Sequence, residues 1–296
     1  MDTTFDKLEI EGIVSRALSE DIGNGDITTD WTIKSEASTH AYFEAQEQGI
    51  ISGLYATYLV YNKVDSELNF KTFLTDGDKV EPGQVIAEVK GSACSILTGE
   101  RTSLNFLRHL SGIASQTGRY VNILKNMNTM IFDTRKTTPG LRVLEKRAVL
   151  HGGGNNHRFG LFDMVLIKDN HIAAAGSIGA AVDICRLNMD KSNQHVAIEV
   201  ETRDLNQVTQ AVCSKVDQIM LDNMTIQQMT EAVEYIRAKS PEGHHILVEA
   251  SGSITLNQLK DIAKTGVDII SVGALTHSAP ALDISLNIDP SSLASL

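Results

Sequence analysis

The stretch MIFDTRK, residues 130–136, is a short apolar run that ends in charged residues, and the second half of the chain repeats this pattern. Five further runs of the same kind are DMVLIKDNH (163–171), VAIEVET (196–202), DQIMLDN (217–223), HILVEASG (245–252) and DIISVGAL (268–275). Amphipathic stretches of helix length, such as 225–238 and 255–265, separate them. Strands that alternate with helices at this spacing indicate βα units and a parallel sheet.

The number of βα units indicates the architecture. With at least six units, we expect a closed or nearly closed α/β barrel. A doubly wound sheet is the second choice, because no GxGxxG motif follows any of the runs. The carboxyl ends of barrel strands meet at one rim, where such folds build their sites. The residues that the run ends place at this rim are Arg135, Lys136, Lys168, Glu201, Asp222, Ser251, Gly252 and Gly273.

The first third of the chain has a mixed texture. Apolar residues at helical period predict an opening helix, and EDIGNGDITTD (20–30) reads as a turn. Between residues 41 and 95, short β-rich runs alternate with turns, which indicates a small antiparallel sheet with helices. A long helix is predicted over roughly 97–125, with Leu104, Leu107 and Leu110 as its core stripe. Arg101 lies on the opposite, polar face.

Composition excludes several classes of protein. The chain has 296 residues and a formal net charge of −11, which argues against nucleic-acid or anionic-membrane binding. No segment reaches the ~18 apolar residues of a membrane span, and the acidic start lacks a secretory signal. Three widely spaced cysteines form no metal pattern, so we expect buried thiols in a cytoplasmic protein.

One window of this acidic chain is basic. Residues 133–171 contain seven Lys and Arg against four Asp and Glu, whereas the whole chain has 26 against 37. A local positive pocket in an acidic protein suits a small, multiply charged anion. The arginine fork pairs bidentately with carboxylate or phosphate, so the window predicts a di-acid or a phosphorylated ligand.

Two carboxylates and two small-residue segments complete the predicted rim. Glu201 and Asp222 end neighbouring strands, where such groups hold Mg²⁺ or accept hydrogen bonds from ribose hydroxyls, although both could instead cap helices. EASGSI (249–254) and SVGAL (271–275) let backbone N–H groups approach a phosphate. A dicarboxylate grip beside a sugar-phosphate and metal site suits glycosyl transfer from an activated ribose phosphate.

Longer motifs resemble the quinolinate phosphoribosyltransferase family from about EDIGNGDIT to the C-terminus. These motifs are GERTSLNFLRHLSGIAS (99–115), DTRKTTPGLR (133–142), GGGNNHRFGLFDMVLIKDNHI (152–172), EVET (199–202), LDNM (221–224), EASGSI (249–254) and SVGALTHSAPALDISL (271–286). The resemblance implies an N-terminal α/β sandwich over residues 1–112, completed by 276–296, and a six- or seven-stranded α/β barrel over 113–275. It also implies homodimers, or assemblies of dimers, with sites completed by the partner chain.

The reaction that the resemblance implies joins quinolinate to 5-phosphoribosyl-1-pyrophosphate with Mg²⁺. Its products are nicotinate mononucleotide, CO₂ and pyrophosphate, in de novo NAD synthesis. Glu201 or Asp222 would stabilise an oxocarbenium-like transition state, and Lys136 or Lys168 would assist the loss of CO₂.

The resemblance extends to further individual residues. Those that correspond to the grip on the two quinolinate carboxylates are Arg135, Lys136, His157, Arg158 and Lys168. Those that fall in the 5′-phosphate segments are Ser251, Gly252, Gly273 and His277. Arg101 matches the arginine donated by the neighbouring subunit, while Glu201 and Asp222 match the acidic pair that faces the ribose and the metal. Ser253, where glycine is expected, and Thr202 depart from the family pattern without removing a charged site residue.

Three other functions are consistent with parts of the sequence. Lys168 ends its strand where a barrel aldolase carries a Schiff-base lysine. TDGDKVEPGQVIAEV (75–89) has the texture of a carrier module but lacks the lysine between turn glycines. Phosphoribosyl transfer to nicotinate is the nearest alternative, and the number of cations favours a base with two carboxylates.

Overall fold

A computed structural model describes residues 3–240 and 243–289 of the chain. The chain divides into two compact units, described separately below. Unit 1 comprises residues 1–118, 137–153 and 274–296, and unit 2 comprises 119–136 and 154–273. The domain boundaries predicted at 112/113 and 275/276 stay predictions, and the segment 137–153 groups with unit 1.

The elements alternate along the chain as follows. Those of the first half are α1 (Thr3–Ile22), α2 (Ile27–Thr32), β1 (Ser38–Ala45), β2 (Gly49–Ile50), α3 (Leu54–Val64), β3 (Asn69–Thr72), β4 (Lys79–Val80), β5 (Val85–Ser92) and α4 (Ala93–Ile123). Next come β6 (Met130–Phe132), α5 (Arg142–His151), β7 (Val165–Ile167), α6 (Asp169–Ala175), α7 (Ile178–Ser192), β8 (Ile198–Thr202) and α8 (Leu205–Cys213). The last are β9 (Gln218–Asp222), α9 (Ile226–Lys239), β10 (Leu247–Ser251), α10 (Leu259–Lys264), β11 (Ile269–Ser271), α11 (Ala274–His277) and β12 (Ile284–Ile288).

Unit 1 is built on a four-stranded antiparallel sheet in the order β12–β1–β5–β3. Alternate residues of β1 are buried, as expected for a strand with one face on the core. Phe43 of this strand packs edge-on against Tyr61 of α3, with ring centroids 6.1 Å apart, and both side chains are fully buried. Burial of each such ring contributes about 1.5–3 kcal/mol, so these contacts define the core of the unit.

The helix α4 confirms the predicted long helix and its two faces. Leu104, Leu107 and Leu110 are buried, whereas Arg101 and Asn105 are exposed. The turn predicted over 20–30 is shorter than expected: residues 23–26 form it, while 20–22 end α1 and 27–30 begin α2. Asp26 caps α2 by accepting the Thr29 N–H at 3.0 Å.

Unit 2 contains a six-stranded parallel sheet in the order β6–β11–β10–β9–β8–β7. All six apolar runs of the sequence form these strands, which confirms the βα reading and the α/β fold class. From β7 to β11 the strands lie in chain order, and β6 lies beside β11, which is the order of strands around a barrel. A doubly wound sheet would instead reverse its strand order in the middle. Asn155 adds a parallel bridge beside β6, at Phe132.

Two smaller observations concern the cysteines and membranes. All three cysteines are free; Cys94 and Cys185 are half-buried, and Cys213 is exposed. None of the three is fully buried, so the prediction of buried thiols is wrong, and Cys213 ends α8 on its solvent side. Among the described helices none alone has the length and apolar character to cross a membrane, and only the α6–α7 pair, bent by 85°, meets that test jointly.

Candidate active site

The carboxyl ends of the unit 2 strands surround a cavity of about 390 Å³. Eight of the predicted site residues line this cavity: Arg135, Lys136, His157, Arg158, Lys168, Glu201, Asp222 and Ser251. The other lining residues are Thr134, Leu166, Met220, Glu249 and Ser271. Parallel strands end at a common edge, so residues that are far apart in sequence meet here.

The strand register explains why these side chains share one face. In β8, Glu199 and Glu201 are two residues apart and therefore point the same way. Glu201 pairs with Met220 of β9, and Asp222 pairs with Ser251 of β10. The acidic pair therefore lies on adjacent strands at the level where the sheet ends.

Four predicted residues lie outside this lining. Gly252 lines a neighbouring cavity of about 300 Å³ together with Ser251. Gly273 is the last residue of unit 2 and directly precedes α11, which belongs to unit 1. Arg101 and His277 belong to unit 1, and their roles in the site stay predictions.

The loop after β10 has a conformation that requires glycine. Gly252 has φ +140°, and a Cβ at this position would lie 2.6 Å from Asn223 Oδ1. Only glycine adopts such a backbone conformation readily. The loop therefore exposes backbone rather than side chain at the point where the sequence predicts a phosphate.

Both acidic residues of the rim are already paired with cations. The Lys168 ammonium forms an ion pair with Glu201. Arg203 lies between three carboxylates, with nitrogens 2.8 Å from Asp169 Oδ2, 3.8 Å from Glu201 Oε1 and 3.9 Å from Asp222 Oδ2. Sequence reasoning missed Arg203, although it directly follows the strand end EVET and this position was the available signal.

Two arginines of the predicted grip repel one another. Burial and the charge of Arg135 both lower the pKa of Arg158, and the acidic Glu199 and Asp163 oppose this effect. Arg158 also donates to the Met164 carbonyl at 3.1 Å, which holds the guanidinium in place. Because the two like charges face one cavity, an anionic ligand there relieves their repulsion.

A buried polar cluster lies one layer deeper in the sheet, and sequence reasoning found only one of its members. His157 Nε2 is 3.1 Å from Glu199 Oε2 and 3.3 Å from Glu249 Oε2, and both carboxylates are fully buried. Gln218 Nε2 donates to Glu199 Oε1 at 3.0 Å and to Glu249 Oε2 at 2.6 Å. The sequence carried a weak signal for this cluster, because three polar residues occupy inward positions of the buried strands β8, β9 and β10.

The charges in this cluster are coupled. Burial and the neighbouring Glu249 together raise the pKa of Glu199 to about 7, against the opposing effects of His157 and Gln218. Burial opposes a charge on His157, but the two carboxylates outweigh it and raise the pKa of His157 to about 10. The Arg158 N–H, 2.8 Å from Nδ1, favours a ring without a hydrogen on that nitrogen. The two carboxylates favour a charged His157 ring, whereas the Arg158 N–H favours a neutral one. Both forms carry a hydrogen on Nε2, between the ring and the carboxylates.

Two sets of side chains offer ligands for a metal ion. Glu201 and Asp222 provide carboxylate oxygens at the open rim, which is the donor type that Mg²⁺ takes together with water and substrate phosphates. The buried set of His157, Glu199 and Glu249 has ligand atoms within 4.8 Å of one another. The amide hydrogens of Gln218 point at that second set, so the rim pair fits Mg²⁺ better.

A parallel α/β sheet with a cationic cavity at its carboxyl edge defines an α/β-barrel enzyme that acts on an anionic substrate. The model of the quinolinate phosphoribosyl transferase C-terminal domain matches residues 113–287, and that of the N-terminal domain matches residues 26–111. The chain belongs to the quinolinate phosphoribosyltransferase family.

Individual relatives support this assignment over almost the whole chain. The chain is 41% identical to quinolinate phosphoribosyltransferase (decarboxylating) 2a, mitochondrial, of Nicotiana tabacum, over 95% of this chain and 82% of the relative. It is 44% identical to the probable nicotinate-nucleotide pyrophosphorylase (carboxylating) of Synechocystis, over 92% and 90%. The solved nicotinate-nucleotide pyrophosphorylase of Francisella tularensis superposes with a TM-score of 0.88 at 40% identity, over 95% and 96%.

These relatives correct one prediction. The cytoplasmic location inferred from the sequence is wrong as an inference, because relatives at 40–41% identity are named as mitochondrial or chloroplastic proteins. Cysteine usage does not discriminate here, since a reducing organelle interior also leaves cysteines as thiols.

Proposed function

We propose that this protein transfers the phosphoribosyl group of 5-phosphoribosyl-1-pyrophosphate to quinolinate and releases CO₂ and pyrophosphate. The product is nicotinate mononucleotide, in de novo NAD biosynthesis. One observation carries the proposal: the four cationic side chains of Arg135, Lys136, Arg158 and Lys168 line one cavity with the carboxylates of Glu201 and Asp222. Membership of the quinolinate phosphoribosyltransferase family supports it.

The cations bind and orient the nucleophile. Quinolinate carries two carboxylates, and the forks of Arg135 and Arg158 pair with carboxylates bidentately. Lys136 and Lys168 add point charges to the same wall. Cations do not stabilise a sugar cation, so their contribution is to hold the pyridine nitrogen in line with C1 of the ribose. Such positioning lowers the activation free energy by about 7–11 kcal/mol.

The carboxylates act on the ribose. As the pyridine nitrogen approaches C1 and pyrophosphate leaves, the ribose gains oxocarbenium character. Glu201 or Asp222 stabilises this positive charge, because a fixed carboxylate in a site of low dielectric interacts strongly with charge that develops during the reaction. We propose that the same two residues would hold Mg²⁺, which when bound would offset the charge on the pyrophosphate.

Decarboxylation follows from the first step. Once the ring nitrogen carries the ribose, the ring is cationic. The bond between C2 and its carboxylate then breaks, CO₂ leaves, and the electron pair of that bond stays on C2, where the adjacent positive nitrogen stabilises it. A proton that derives from solvent then adds to C2 in place of the carboxylate. The residues at this step mainly exclude water and keep the carboxylate in place, with help from Lys136 or Lys168.

The proposal includes a homodimer, or an assembly of dimers, in which Arg101 reaches the site of the neighbouring subunit. Its support is the family motif around Arg101 and the exposure of this side chain on α4. The apolar face of α4 packs in the core, so the exposed Arg101 on its other face is available to a second chain.

The test is turnover by the purified protein with Mg²⁺, 5-phosphoribosyl-1-pyrophosphate and either quinolinate or nicotinate, with release of CO₂ followed for quinolinate. We expect turnover with quinolinate only. Turnover with nicotinate alone would contradict the dicarboxylate grip. Absence of turnover with both bases, combined with borohydride inactivation in the presence of a carbonyl substrate, would instead favour a Schiff base at Lys168.

A further inference from the structure

The proposed reaction makes no direct use of the deepest polar groups of unit 2. Glu199, Gln218 and Glu249 come from the adjacent strands β8, β9 and β10, and all three side chains are buried. Gln218 bridges the two carboxylates through one amide nitrogen, at 3.0 and 2.6 Å. Two carboxylates buried side by side destabilise a fold unless other groups compensate them, so this arrangement calls for a function.

The cluster holds the ring of His157 from one side. Nε2 faces Glu199 at 3.1 Å and Glu249 at 3.3 Å, and the side chain is only 7% exposed. On the other side, Nδ1 lies 2.8 Å from the backbone N–H of Arg158. The backbone N–H of His157 donates to Asp133 Oδ1 at 2.8 Å. Both ring nitrogens therefore contact groups of the protein itself.

Through the Nδ1 contact, the position of His157 is coupled to that of Arg158. A rotation of the imidazole would break the contact with the Arg158 amide and shift the backbone from which the guanidinium extends. The nearby Glu199 also favours the charged form of Arg158. The two acids thus contact one ring nitrogen of His157, and the backbone of Arg158, whose side chain lines the cavity, contacts the other.

A metal ion is the alternative occupant of this cluster. The ligand atoms of His157, Glu199 and Glu249 lie within 4.8 Å of one another, as a metal centre requires. However, Gln218 directs its amide hydrogens at an oxygen of each carboxylate, where a cation would meet the positive end of the amide dipole. The contacts therefore favour a hydrogen-bonded support over a metal centre.

We infer that Glu199, Gln218 and Glu249 are positioning residues, which hold His157 so that Arg158 remains aimed at a carboxylate of quinolinate. In this role the three residues act on the substrate through His157 and Arg158. The inference rests on the proposed function, because it concerns the grip on the base. It assigns the cluster to one of the two substrates: quinolinate, and not 5-phosphoribosyl-1-pyrophosphate.

The test compares the KM values of the two substrates. Glu249→Leu removes one of the two carboxylates that face His157 Nε2, and we expect it to raise KM for quinolinate about ten- to a hundredfold. We expect KM for 5-phosphoribosyl-1-pyrophosphate to change less than about twofold. The matched control is Thr129→Val, which removes a buried hydrogen bond to the Val267 carbonyl (2.8 Å) next to the amino end of β6, away from the cavity. It should lower the melting temperature and leave both KM values unchanged.

A double-mutant cycle tests whether Glu249 acts through His157. If it does, the double variant Glu249→Leu/His157→Ala has the same KM for quinolinate as His157→Ala alone. Additive effects on KM would overturn the inference, as would an equal rise in both KM values. A stoichiometric metal ion in the wild type that is lost in Glu249→Leu would assign the cluster to a metal and overturn it as well.

Two measurements keep the test decisive. Should Glu249→Leu fail to fold, Glu249→Gln preserves the shape and one acceptor oxygen, and a smaller but selective rise in KM for quinolinate is expected. No change in that KM would overturn the inference. Failure of the proposed function has a different signature, because wild type and Thr129→Val would then both lack turnover with quinolinate.

Discussion

At the scale of single residues, Lys168 can exchange its ion-pair partner Glu201 for a bound anion. Its ammonium is ion-paired with Glu201, yet the side chain is 43% exposed. The Glu201 side chain is only 8% exposed, so the accessible partner of this pair is the Lys168 ammonium, which a dianionic ligand in the cavity can reach. We therefore expect quinolinate to draw Lys168 away from Glu201 and to free this carboxylate for the ribose.

The two lysines of the rim should matter more for the loss of CO₂ than for transfer of the ribose. In Lys136→Ala and Lys168→Ala, we expect the undecarboxylated mononucleotide to accumulate, because decarboxylation is slowed more than its formation. Quenched-flow sampling with chromatographic separation of the two mononucleotides measures both steps.

The matched control for these variants is Lys264→Ala. Lys264 also pairs with a carboxylate, that of Asp261 at 2.8 Å, but it lies on α10 and does not line the cavity. It should leave both steps unchanged. If Lys136→Ala and Lys168→Ala slow formation and decarboxylation equally, the assigned role is wrong.

At the scale of elements, the loop after β10 depends on backbone geometry. Parallel strands bring each such loop to the cavity edge, and Gly252 takes a conformation that other residues rarely adopt. The side chain of Asn223, from the loop after β9, occupies the space that a Cβ would need. The two loops are therefore fitted to one another at the predicted phosphate position.

Gly252→Ala should weaken binding of 5-phosphoribosyl-1-pyrophosphate. The strained φ and the displaced Asn223 shift the loop, and we expect KM for this substrate to rise about tenfold, with KM for quinolinate nearly unchanged. Steady-state kinetics with each substrate varied in turn gives both values.

Gly176→Ala is the control for backbone strain without a steric clash. Gly176 has φ +93°, and a Cβ there would have no neighbour within 4 Å. We expect a lower melting temperature and normal KM values. Equal effects of the two substitutions on KM for 5-phosphoribosyl-1-pyrophosphate would argue against a phosphate role for the loop after β10.

At the scale of the whole molecule, the proposed dimer predicts complementation between inactive subunits. Arg101→Met and Asp222→Asn should each be inactive, since one lacks the donated arginine and the other lacks a rim carboxylate. In a mixed dimer, one of the two sites receives Arg101 from one chain and Asp222 from the other.

Random reassociation of the two variants should therefore restore about a quarter of the wild-type activity, because half of the dimers are mixed and each has one complete site. The measurement is activity after the two variants are mixed, dissociated and reassembled. A mixture that stays inactive while forming mixed dimers would show that Arg101 acts within its own chain.

The sequence by itself determined the βα alternation of unit 2 and the chemistry of its strand ends. Apolar runs of strand length, separated by amphipathic segments, leave few other folds open, because every buried backbone group must be paired. The basic window 133–171 and the motif residues such as Glu201 were equally visible, since charge and residue order are properties of the chain.

Only the tertiary structure decided which polar residues meet below the rim. Glu199, Gln218 and Glu249 are separated in sequence and are joined only by the register of three adjacent strands. Likewise, Arg203 contacts Asp169, Glu201 and Asp222 because two strand ends and a helix start come together in space. Such contacts follow from strand pairing and burial, which no local pattern of residues encodes.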